Sequence, residues 1–79
     1  MIGDLEDRVN NNEMIYPNDF VLEVRMNRVY RIVSYQPIER VMFLETEKYT
    51  GGNSIAFVTN AFSYLGSGSF EEFNRLVSL

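Results

Sequence analysis

The sequence predicts an α+β domain: a small antiparallel sheet of three to four strands with a helix at the C-terminus. Three observations predict it. From Phe20 to Tyr35 side chains sort into two sets that alternate every second residue, which is the period of a strand. Near the end, Ser69 and Glu72 form an S-x-x-E capping box ahead of apolar residues at helical spacing. The chain has 79 residues, 46% of them hydrophobic and 14% aromatic. That is one globular domain over 1–79, near the lower end of what folds alone.

Residues 1–19 read as a lead-in segment. Ile2, Leu5 and Val9 share one face of a short helix, which Gly3 and the run Asn10-Asn11-Asn12 make marginal in isolation. Tyr16-Pro17-Asn18-Asp19 reads as a turn, with Pro fixing φ and Asn and Asp supplying local hydrogen bonds.

The strands fall within 20–59. Phe20, Leu22, Val24 and Met26 alternate with Val21, Glu23 and Arg25 as a half-buried strand. Asn27-Arg28 is the expected two-residue hairpin turn. A second strand follows over Val29–Tyr35, bulky on both faces and therefore central, and Pro37 ends it. Arg40–Glu47 is the third strand, and Tyr49 to Asn53 a flexible turn. Over 54–65, Ile55, Val58, Phe62 and Leu65 stand at helical spacing, with Ser54 and Gly66 as caps. The β-branched and aromatic run Ile55–Thr59 favours instead a strand over 55–59 and a tight turn at 60–65.

The C-terminal helix spans 70–78. Glu71 and Glu72 in its first turn and Arg75 near its end suit the helix dipole, and Phe70, Phe73, Leu76 and Val77 make its apolar stripe. A Pro turn, a hairpin, a Gly-containing turn and a short strand also suit an SH3-like partial barrel.

Composition excludes much chemistry. There is no Cys and no His, so no disulfide framework, no thiolate nucleophile and no His base for a Ser or Thr. No cofactor is expected. Glu45 and Glu47, on one face of the third strand and roughly 6–7 Å apart, could serve as an acid–base pair or hold a divalent cation. They read more simply as a polar strand end. Gly51-Gly52-Asn53-Ser54 lacks the lysine of a phosphate loop, and Gly66-Ser67-Gly68-Ser69 lacks the third glycine of a dinucleotide loop. An enzyme is not expected.

The longest apolar run, Val41 to Leu44, is far short of a membrane span of ~20 residues. An acidic start without an apolar run does not read as a signal peptide. A cytoplasmic protein without a membrane partner is the expectation.

Charge is unevenly spread. The chain carries −4 overall, but residues 1–23 hold six acids against Arg8, while 24–44 hold four arginines against Glu39. Arg25, Arg28, Arg31 and Arg40, with Tyr30 and Tyr35, are the candidate binding residues, because Arg and Tyr are enriched at protein interfaces. The leading expectation is a non-enzymatic protein-binding module, an inhibitor, adaptor or subunit of a larger assembly, of the size and composition found among phage and mobile-element proteins. A second reading of the same arginine/tyrosine hairpin is contact with nucleic acid, which the acidic balance opposes. A homodimer through an exposed strand edge is a third.

Overall fold

A computed structural model describes residues 3–78. The elements run α1 (Leu5–Asn10), β1 (Phe20–Glu23), β2 (Arg28–Gln36), β3 (Val41–Glu45), β4 (Ser54–Phe57), β5 (Phe62–Gly66) and α2 (Phe70–Val77). The strands form one sheet in the order β4-β3-β2-β1-β5, and every neighbouring pair is antiparallel. Its edges, β4 and β5, do not pair with each other, so the sheet stays an open, partial barrel. This is the expected α+β domain with a C-terminal helix, but with five strands rather than three to four.

The extra strand lies where a tight turn was expected at 60–65. The chain turns earlier, over Val58–Ala61: Val58 N–H continues the β3–β4 ladder to the Arg40 carbonyl at 2.9 Å, and Phe62 N–H closes the turn on the Thr59 carbonyl at 3.4 Å. That frees Phe62 to Gly66 to lie along β1, with Tyr64 opposite Val21. The β1–β2 connection also differs from the two-residue turn expected at Asn27-Arg28. Val24 N–H bonds the Ala61 carbonyl at 2.9 Å and leaves the hairpin. The turn is made by Val24–Asn27, with Asn27 at φ +53°, a left-handed conformation that Asn tolerates better than Arg. Arg28 therefore opens β2, opposite Glu23.

The two sheet faces carry separate clusters. Leu5 of α1 is buried with Ile15, Val21, Ile32, Met42 and Leu44 on one face, and Val9 packs against that cluster. Ile2, the remaining residue of the expected α1 face, lies outside the described residues. On the other face, Phe73 of α2 packs with Phe20 and Val29. The Phe20 ring meets Phe70 edge-on with centroids 4.9 Å apart, and the Phe73 ring lies 5.2 Å away. The capping box forms: Glu72 N–H donates to Ser69 Oγ at 3.1 Å. Leu76 departs from the expected stripe and is 60% exposed, because it sits about 100° around the helix from Val77.

The β5 edge is sealed by the lead-in segment. Gly3 N–H donates to the Asn60 carbonyl at 2.6 Å, the Asp4 carboxylate accepts Tyr64 N–H at 2.9 Å, and α1 packs against β5. Beyond its pairing with β3, β4 has no comparable cover among the described residues. Among those residues, no helix is long and apolar enough to cross a membrane.

Candidate docking surface

The six candidate residues do not form one strip. Arg25 is exposed in the β1–β2 turn and Arg28 is exposed at the start of β2; Arg28 lines an open cleft of ≈ 490 Å³ with Met26, Lys48, Tyr49 and Asn74. Arg31, three residues on, must point to the opposite face, because strand side chains alternate. There it binds Glu45, directly across on β3, and Asn18. Tyr30 packs on the α1 side, edge-on to Phe62 with centroids 6.5 Å apart. The register slips between Ile32 and Ser34, and this bulge restores Tyr35 to the same side as Tyr30.

Arg40 lies past the far end of β2 and donates to Asn10 Oδ1 at 2.7 Å. With Tyr35, Val9, Met14 and Pro17 it lines a second cleft of ≈ 500 Å³. Arg28 and Gln36 stand about 26 Å apart along β2. The structure thus separates Arg25 and Arg28 from Tyr35 and Arg40, and places Tyr30 and Arg31 in packing roles.

Nor do the carboxylates pair. Glu45 is buried, whereas Glu47 lies beyond the end of β3, exposed, and accepts from Asn74 Nδ2 at 3.4 Å. Glu45 Oε2 accepts the Gly51 N–H at 2.9 Å, and this bond and the Arg31 guanidinium hold its carboxyl below the ordinary value of 4.5 against the effect of burial. A carboxylate so engaged is a structural anion rather than a free proton carrier. Among the described residues, no three His, Cys, Asp or Glu side chains converge to hold a metal ion.

The surface that sequence reasoning missed is on the α2 side of the sheet. There α2 covers Phe20, Leu22, Val29 and Leu65, and its cover does not reach β4. Continuing along the same face, β3 presents Val41 and Phe43, and β4 presents Phe57 and Ile55 directly opposite them. These four form a block two residues wide on each strand. Ile55 and Phe57 are each 66% exposed, Val41 and Phe43 are half-buried, and the free edge of β4 runs alongside. The spacing Ile55–Phe57 in a strand was the available signal, but exposure of an apolar pair cannot be read from its own sequence.

No family model, curated protein or solved structure matches the chain, so its surface has to be read from its own chemistry.

Proposed function

We propose that the chain is a small, non-enzymatic protein-binding module, an adaptor, inhibitor or subunit of a larger assembly, and that it docks through the bare face of β3 and β4. The observation that carries this reading is the apolar block Val41–Phe43–Ile55–Phe57 beside an uncovered strand edge. Edge strands expose unpaired N–H and C=O groups, and sheets blunt them with charge, Pro, bulges or covering segments. The strand Ser54–Phe57 contains no Pro and no charge. An incoming strand gains main-chain hydrogen bonds there, and its alternate side chains gain apolar contact with Ile55 and Phe57. Tyr49, 65% exposed in the β3–β4 connection, adds an amphipathic anchor at one end.

Protein contact is favoured over nucleic acid by the same geometry. The arginines stand at opposite ends of β2, Arg31 is neutralised by Glu45, and the chain is acidic overall. A reducing cytoplasm suits a chain without cysteine. The test compares proteins captured from the native host by the wild type and by Phe57→Lys. Capture of a defined protein by the wild type that is lost in the variant is the expected result. Equal capture by both, or substrate turnover by the purified protein, overturns the reading.

A further inference from the structure

Resting on that docking reading, we propose that β4 pairs antiparallel with β4 of a second copy of this chain, joining two five-stranded sheets edge to edge. Self-complementary side chains on β4 favour this occupant, and electrostatics permits it. Two copies that each carry −4 repel over most approaches, yet from Tyr49 to Phe70 the sequence contains no Asp, Glu, Lys or Arg. That segment contains β4, and it is the stretch along which like-charged copies can meet without bringing charges together.

Register follows from symmetry. A two-fold axis between identical antiparallel strands keeps like faces together, so an axis at Ala56 sets Ala56 against the partner's Ala56. Ile55 then faces the partner's Phe57, and Phe57 the partner's Ile55. Both are aromatic–β-branched pairs, a favourable cross-strand combination. The small Ala56 side chain meets its copy on the opposite face.

The other edge decides that assembly stops at two. With β5 covered by Gly3, Asp4 and α1, a β4-to-β5 contact is blocked, and an isologous pair closes on itself. Area sets the strength. Ile55 and Phe57, each 66% exposed, offer about 250 Å² per copy. The strand backbone adds to this, leaving the pair at or below the lower end of the range for specific interfaces, about 600 Å² per partner. The pair is therefore weak and concentration-dependent.

Light scattering from micromolar to millimolar protein tests this, on the wild type, Ile55→Lys and Phe57→Lys. Both side chains are exposed, so both variants keep their fold, which circular dichroism verifies. The wild-type mass is expected to rise from 9.2 kDa towards twice that value, with both variants remaining monomeric. A wild type that stays monomeric throughout overturns the proposal, as does a dimer that survives both substitutions. A monomeric wild type whose capture of another protein is abolished by Phe57→Lys overturns the second copy alone and leaves the docking reading standing.

Discussion

Arg31 on β2 and Glu45 on β3 face each other in register, and the Arg31 guanidinium donates to Glu45 Oε1 through Nε at 2.6 Å and through Nη2 as well. The pair lies on the α2 side of the sheet, in the same row of β3 side chains as Phe43 and Val41, so it ties β3, one of the two strands that carry the bare face, to β2. Arg31→Ala leaves a buried carboxylate with the Gly51 N–H as its remaining partner. A loss of about 2 kcal/mol is expected, moderated because Arg31 itself is partly exposed; urea denaturation measures it.

The same carboxylate gives an acid limb to stability. Its folded-state pKa is depressed, so its contribution is complete above the unfolded value of 4.5 and is lost as pH falls through the folded value. Denaturation midpoints of the wild type should therefore decline below that pH. In Arg31→Ala the decline should be shallower.

Tyr64 joins three segments. Its hydroxyl donates to Asp19 and accepts Tyr16 N–H at 3.1 Å, while Arg8 of α1 lies 4.0 Å from its ring centroid. Burial, and then the bond to Asp19, push the phenol up to about 12 from 10.0. A raised pKa means stability is complete below 10.0 and is lost as pH rises towards about 12. Tyr64→Phe should cost about 1–2 kcal/mol at neutral pH and should weaken that alkaline loss, read from thermal melts across the interval.

Gly3→Ala tests the sealed edge. A Cβ there would clash with the Phe62 backbone carbonyl, and neither backbone can yield without parting the lead-in segment from β5. About 2 kcal/mol of stability should be lost, and β5 amides should exchange faster with solvent. With both edges then open, scattering should show species larger than a dimer.

Ser69→Ala separates the helix from the docking edge. It removes the acceptor of Glu72 N–H and should cost about 1 kcal/mol. Amide exchange should accelerate in α2. Self-association through β4 should be unchanged.

The α+β class, the turn at Tyr16–Asp19 and the capped α2 were legible because local chemistry dictates them. Pro17 and Asn18 can do little else, and Ser69 with Glu72 specifies a helix start. In the 54–66 region the strand expected over 55–59 was legible and appears as β4, but β5 was not, because Ile55, Val58, Phe62 and Leu65 fit a helix while belonging to two strands and a turn. Ile55 and Phe57 face solvent, so apolar spacing no longer reports burial there. The arginine strip failed for a simpler reason. Residues 28 and 31 differ by an odd number, and a strand sends them to opposite faces. The Ile32–Ser34 bulge, which returns Tyr35 to the α1 side, leaves no mark in the sequence.

Amide hydrogen exchange at micromolar and at millimolar protein tests the central claim, that the open edge of β4 is the docking surface and a second copy its occupant. The prediction is that amides of Ser54–Phe57 slow markedly as concentration rises, while those of Phe62–Gly66, already covered by the lead-in segment, keep one rate. Identical β4 rates at both concentrations, or slowing confined to β5, would contradict it.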